Sequence, residues 1–568
     1  MVLLTASTAF SAEVPAEVQI VQQSLRDGEK ARAEAVLGPL SDLPLYRGDF
    51  SVDVAKKTVS GKIALTLTAK GPLSEIALRC TPNVEHAGAV VLSKPKVAGA
   101  LVSQTQPEPS LYRFEFSPAA KAGDRVTLEL ELKAKIPPLA QDQSGLSMMS
   151  AEGTAGDYGA WAASDDMISL IGLMPMVPPA PGGKLFDAPT GIGDLGTADP
   201  SNLIISVTAP NPWRVVSGGL AMGEVPNGAG QMRFAYGVSA ARELPVVLLK
   251  NAKVSTKSFS GVEVETVLLG DDAKEASEVQ AHAGKALELL QDKLGPYPFK
   301  TLRVVEMRLT GGAGGMEFPG MLSISSSLLT GKQSPLAALG LQNDQARMVE
   351  AMFGAAIKQL IKDTLEFAIA HEVAHQWTAM LVGSDPVAEP LADEPLTQHL
   401  ALLVLELRKG KSAAAELREG QLKATYQMHR MLGGHDGKAN RSTGEFDSNR
   451  EYAALVYGKA PLLFDEQRKL IGDDAWFRVL KAYVEQNRYR YAGTKTLTQL
   501  AAKQNPGAAK KLEELRVRWW EQEHGDDDIG GYDLEAMMKN ASGNPGLMGV
   551  DPKALQEFEK AMKALSGE

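Results

Sequence analysis

Three side chains in one short run have the types and spacing for metal-assisted hydrolysis. In Ile369-Ala370-His371-Glu372-Val373-Ala374-His375-Gln376-Trp377, two histidines stand four residues apart with a glutamate after the first. On a helix that spacing puts both imidazoles on one face, a turn apart, where their nitrogens can converge on a single tetrahedral metal ion. Glu372 then sits beside the metal, where its carboxylate can take a proton from an activated water. Two histidines leave zinc short of ligands, so the pattern demands a third donor downstream. Glu394, eighteen residues beyond His375, meets that demand. Three protein ligands with one open position define a catalytic zinc site, not a closed structural one.

Helices must position these groups. Asp363 and Glu366 have the spacing of a capping pair that would start the His-Glu helix. A second helix is expected from Leu396 to Lys409, with Asp393 as its cap and Pro395 in the first turn, where amides have no intrahelical partner. Glycine crowds Gly311 to Gly320 too densely for an ordinary strand interior; on composition alone the stretch reads first as a mobile loop, and otherwise as a segment whose glycines let another backbone approach closely. Tyr457 reads from its surroundings as a core tyrosine, as does Tyr452, and His399 as a satisfied core histidine.

The rest of the chain is scaffold. Its 568 residues exceed what one core supports, so several domains are expected. A net charge of −10 without a basic run argues against nucleic-acid binding. No apolar run reaches the roughly twenty residues of a membrane span. Cys80, the only cysteine, reads as a buried free thiol. Residues 1–12 resemble the later half of a secretory signal, which implies export to a bacterial periplasm or exterior; without a signal the location would be cytoplasmic. After a helical lead-in to residue 40, alternating runs such as Val126, Leu128, Leu130 and Leu132 announce a mainly antiparallel β domain over 41–255, with Pro175 to Gly196 as a long surface loop. Residues 256–470 mix strands and helices around the metal motif, with Asp272 and Gly295 bounding one helix. Residues 471–568 read as helical, the last helix starting at Asp551-Pro552.

Taken together the motifs resemble the gluzincin aminopeptidases, the aminopeptidase N family, over roughly residues 45 to 525. His371-Glu372-x-x-His375 with Glu394 matches the family's zinc pattern. Gly314-Gly315-Met316-Glu317-Phe318 is similar to its Gly-x-Met-Glu-Asn strand, and Tyr457-Gly458-Lys459-Ala460 to its Tyr-x-Lys-Gly segment. Asp199-Pro200 and Gly295-Pro296-Tyr297-Pro298-Phe299 are weaker echoes. The resemblance implies a multidomain α+β protein: an N-terminal all-β antiparallel domain, a central thermolysin-like α/β zinc domain and a short C-terminal helical part. It implies one Zn2+ per chain on His371, His375 and Glu394, Glu372 as general base and Tyr457 as oxyanion donor. Peptides with a free N-terminus would lie along Gly314, Gly315 and Met316 with the amine at Glu317. A retired peptidase fold that binds a partner, and a zinc endopeptidase or hydrolase of another substrate, are the competing readings.

Departures from the family pattern carry expectations too. Pro319 stands where the strand motif has Asn, and Pro395-Leu396 where Gly-Phe follows the third ligand. The 53 residues between Glu317 and His371 make 330–362 look like an insertion near the cleft. The short C-terminal part implies a more open cleft.

Overall fold

The computed structural model describes residues 16–140, 156–270, 272–329 and 344–530, and in the long helix the side chains from Gln359 onward. The leader at 1–12, the helix expected from Asp551 and residues 330–343 of the expected insertion lie outside the described residues.

The alternating runs pair as strands. Seven form one sheet in the order Leu220–Pro226, Gln231–Ala241, Ser201–Pro210, Leu45–Asp53, Thr58–Thr68, Arg125–Lys135 and Val90–Val97. Neighbours are antiparallel throughout except Leu45–Asp53 and Ser201–Pro210, which run parallel from Leu45↔Asn202. Val126, Leu128, Leu130 and Leu132 all point into the core, as period-two alternation requires. A three-stranded sheet and a four-stranded sheet complete this part.

A second sheet carries the chemistry. Its five strands are ordered Lys253–Phe259, Val262–Leu268, Thr301–Met307, Met321–Ser325 and Gly315–Phe318, the middle three parallel and both edges antiparallel. Helices Ala273–Leu294 and Asp344–Thr378 pack on it, and Glu394–Lys409 packs on those two helices. The first begins as expected: the Asp272 carboxylate accepts from the N–H of Lys274 and Glu275 at 2.9 and 3.0 Å. A mixed sheet with helices, an all-β N-terminal part and helices to Asp528 together make the multidomain α+β architecture.

Several local expectations give way. Asp363 and Glu366 cap nothing, because the metal-motif helix runs unbroken from Asp344 to Thr378 and both lie in its interior. Their carboxylates instead hold the neighbouring helix: Glu366 pairs with Arg408 and Lys409 at 2.5 Å, and Asp363 with Lys409 at 3.3 Å. The segment expected as an insertion therefore continues, from residue 344, into the zinc helix. Asp393 occupies the N-cap position of Glu394–Lys409 but makes no side-chain cap; it accepts from the Ser384 hydroxyl. The lead-in is partly core, since Val18, Val21 and Leu25 are buried and Glu29 takes hydrogen bonds from Arg488 and Tyr489 far along the chain. The loop of Pro175 to Gly196 is not confined to the surface: Gly191 and Ile192 are buried and the loop lines the central cleft. Phe186 meets Tyr491 edge-on at 5.2 Å and Thr190 donates to Thr443 at 2.9 Å, so the loop that lines the cleft is held by later parts of the chain.

Candidate metal centre and cleft

The motif helix buries its two histidines against the start of the following helix. His371 Nε2 and His375 Nε2 lie 3.0 Å apart, and Glu394 Oε2 lies 3.3 and 3.5 Å from them. Tetrahedral zinc with bonds of 2.0–2.2 Å sets its ligand atoms about 3.3 Å apart, which these three separations match. The His375 ring is aimed by its other nitrogen, Nδ1, 3.3 Å from the Thr397 hydroxyl, which in turn sits 2.6 Å from Thr378 Oγ1. Electrostatics agree with a cation-binding corner. Burial pushes the His375 ring toward its neutral form, the form that ligates. Burial also pushes Glu394 upward, but His375 and His371 outweigh it and hold the carboxyl well below the usual range. Donor types, spacing and charge all fit Zn2+.

Glu372, one residue after the first ligand, is buried, and its Oε2 has no hydrogen-bond partner among the described residues. Burial, then the nearby Glu394, pushes its carboxyl up. Its position explains Gly315: a Cβ there would lie 2.5 Å from Glu372 Oε1 and 2.6 Å from Cγ. The glycine thus makes room for this carboxylate, not only for an approaching backbone as expected. Gly314 has no such crowding, since a Cβ there would find its nearest neighbours, on Ala368 and Leu328, 3.6 Å away.

Gly315–Phe318 is the edge strand, paired on one side with Met321–Ser325 through Met316↔Ser323 and Glu317↔Leu322. Its other side faces the cleft, open to strand addition. Gln376, next to His375, fastens the strand's end: its amide donates to Phe318 O at 2.9 Å and accepts from Gly320 N at 3.1 Å. This clasp spans Pro319 and keeps the strand in place despite the proline. Glu317 lies in the cleft near both Glu372 and Glu394. Burial first, then those two carboxylates, pushes its carboxyl up, and among the described residues none of the groups acting on it is a cation.

Tyr457 also reaches the centre. Its hydroxyl donates to Glu394 Oε1 at 2.5 Å, and its ring lies 6.1 Å from that of His371. A π-helical stretch, Ala453–Lys459, carries it. Tyr452 is buried as expected but packs edge-on against Tyr457 at 5.8 Å and lines the cleft. His399 is a satisfied core group between Asp465 at 3.1 Å and the Trp476 N–H at 2.9 Å.

Two acidic residues of the cleft carry no sequence signal. Asp194, on the loop from the β part, brings a carboxylate oxygen within 4.8 Å of those of Asp393 and Glu394. Gly193 beside it donates to the Tyr158 hydroxyl at 3.1 Å and passes so close to the Tyr452 hydroxyl that a Cβ would lie 2.8 Å away. Glu243 faces the cleft from the turn before Val247–Lys250. The cleft these groups share has a volume of about 420 Å³.

A buried His-His-Glu corner with an unpaired glutamate oxygen beside it has the donor set for zinc and the carboxylate that metal-assisted hydrolysis requires. Residues 354–520 match the model of the Peptidase family M1 domain, in keeping with the resemblance read from the motifs. Among solved structures the fold is similar to the M1 zinc metallopeptidase from Deinococcus radiodurans, at 17% identity and a TM-score of 0.57 over 84% of this chain and 94% of that one. It is similar to a mutant two-domain M1 zinc metallopeptidase bound to L-arginine, at 17% identity and a TM-score of 0.57 over 84% of this chain and 93% of that one. A Deinococcus radiodurans mutant bound to a Tyr-Ser-Ala substrate gives 17% identity and a TM-score of 0.55 over 84% and 94%.

Proposed function

We propose that the chain is a zinc aminopeptidase that removes N-terminal residues from peptides. The observation that carries this reading is Glu317: a carboxylate on the open edge strand, beside the metal corner, with no cation of the described residues acting on it. A free α-ammonium group is the cation that suits it, through a charge-assisted hydrogen bond. The binding of amino acids and a tripeptide by structural neighbours is consistent with such a cleft.

Bound at His371, His375 and Glu394, zinc supplies Lewis acidity toward the scissile carbonyl and lowers the pKa of water toward about 7. The edge strand Gly315–Phe318 takes the substrate backbone as an added strand. Glu317 holds the amine and so sets the first peptide bond over the metal corner. Glu372 accepts a proton from the attacking water and returns it to the leaving amine; its raised proton affinity suits both halves of that transfer. Tyr457 turns its hydroxyl from Glu394 to the oxygen on which charge develops.

The test compares free and N-acetylated peptides. The parent should cleave free-amine substrates and hardly touch the acetylated ones. Glu317→Ala should lose about 2 kcal/mol or more in kcat/KM for free-amine substrates with zinc retained. Equal cleavage of free and acetylated peptides by the parent would assign it to the endopeptidases, and an inactive parent with full zinc would favour the retired fold.

A further inference from the structure

Among the described residues, seven carboxyl side chains and two arginines line the cleft. Both arginines are engaged by the protein. Arg242 donates through Nε, Nη1 and Nη2 to Met380 O, Ala198 O and Arg490 O at 3.3, 3.0 and 3.1 Å. Arg79 donates to Phe186 O at 2.8 Å and lies 3.9 Å from Glu108. Neither is left to meet an acidic substrate.

Six of the carboxyl groups have a role or a partner. Glu394, Glu372 and Glu317 belong to the centre already described, and Asp194 lies against Glu394. Asp187 faces Lys184 at 3.4 Å, and Asp385 accepts from the N–H of Val387 and Ala388 at 3.1 and 3.0 Å. Glu243 remains. It is half-buried in the cleft wall and makes no hydrogen bond or ion pair among the described residues.

Its neighbours fix where it stands. Leu244, the next residue, packs beside Gly218, where a Cβ would lie 3.8 Å from Leu244 Cδ1 and 2.3 Å from Pro319 O. Glu243 is therefore at the Pro319 end of the edge strand. A peptide whose amine is at Glu317 and whose later residues run toward Gly314 presents its first side chain to that end. We infer that Glu243 is a specificity residue that receives the cationic side chain of an N-terminal arginine or lysine, an inference that rests on the aminopeptidase reading.

The charges of the cleft agree. Zinc would offset Glu394 and Glu372 and the α-ammonium would offset Glu317; Asp194 lies against Glu394 and Asp385 is held by two backbone N–H groups, so Glu243 is the cleft carboxyl with no polar partner among the described residues. Burial alone pushes its carboxyl up to about 8, and a guanidinium alongside restores the charged form while gaining a charge-assisted hydrogen bond.

The experiment measures kcat/KM on arginyl, lysyl, leucyl and glutamyl amides. The parent is expected to favour arginyl and lysyl over leucyl substrates by about tenfold or more, and Glu243→Gln to bring that ratio close to one, with Glu243→Asp between them. A second readout needs no turnover: calorimetric titration of zinc-loaded Glu372→Gln with L-arginine and L-leucine, alone and combined with Glu243→Gln. Arginine should bind about tenfold more tightly than leucine only while Glu243 is present. A parent without basic preference, or a preference that survives Glu243→Gln, overturns the role of Glu243 and leaves the aminopeptidase reading standing. If no free-amine amide is cleaved, that reading falls, and calorimetry decides Glu243 by itself: arginine bound no more tightly than leucine overturns it.

Discussion

At the scale of single residues, the centre depends on groups whose removal should leave the protein folded. Glu372→Gln should retain zinc and lose most turnover, because an amide cannot accept the water's proton. Tyr457→Phe removes one hydrogen bond to developing charge, so kcat should fall on the order of 10² to 10³ with little change in KM. Steady-state kinetics beside metal analysis checks both, and near-normal kcat in Tyr457→Phe would return that residue to a packing role. Gly315 makes a sharper demand. A methyl group there meets Glu372 Cγ, Cδ and Oε1 within 2.7 Å, so the carboxylate must swing aside. Gly315→Ala should therefore keep its zinc and lose on the order of 10²-fold in kcat, as displacement of a reacting group by about 1 Å does. A fully active Gly315→Ala would mean that Glu372 works from another position.

At the scale of elements, the helix carrying Glu394 and His399 is tied to the C-terminal helices through charge. Asp465 accepts from Arg418 and lies 3.1 Å from His399, whose other nitrogen takes the Trp476 N–H. Burial works upward on Asp465, but His399 and Arg418 prevail and hold its carboxyl down at about 2. Because that pKa is depressed below its usual value near 3.8, the stabilisation is present above about pH 4 and is lost as pH falls through about 2. Asp465→Asn should thus cost about 2 kcal/mol or more at neutral pH, and the gap from the parent should narrow toward pH 2. Denaturant unfolding across that range measures it, and a gap independent of pH would show that packing, not charge, is what Asp465 contributes. A long helix from Asp344 to Thr378 replaces the short, capped one expected, and its reason is visible at the same scale: Asp363 and Glu366 find Arg408 and Lys409 across the helix pair, a tertiary use that competes with capping.

At the scale of the molecule, zinc bound at His371, His375 and Glu394 would tie two successive helices together, so the metal would also be a structural link. Ligand binding to the native state alone stabilises it by RT ln(1 + [L]/Kd). Stripping the metal should lower the melting temperature of the catalytic part by several degrees, with recovery on adding Zn2+. Glu394→Ala should neither hold stoichiometric zinc nor show that recovery; full occupancy in this variant would mean the third ligand lies elsewhere. The N-terminal part contributes to the same unit, since its loop around Asp194 enters the cleft and Arg242 donates to Met380 O and Arg490 O of later segments as well as to Ala198 O of its own part.

The sequence by itself determined the candidate metal ligands, the glutamate beside them, the β-to-α/β-to-helical order and the edge-strand motif. These are legible because ligand chemistry fixes residue type, and because helical and strand periods fix spacing within one element, as at His371 and His375 or Val126 to Leu132. What only the tertiary structure decided is everything that depends on two distant segments meeting. That the loop of Pro175 to Gly196 lines the cleft, that Asp393 turns to Ser384 instead of capping, that Gly315 is small for the sake of Glu372, and that Glu243 stands unpaired beside the strand end have no local signature. Each is set by close approach between elements that no spacing along the chain encodes.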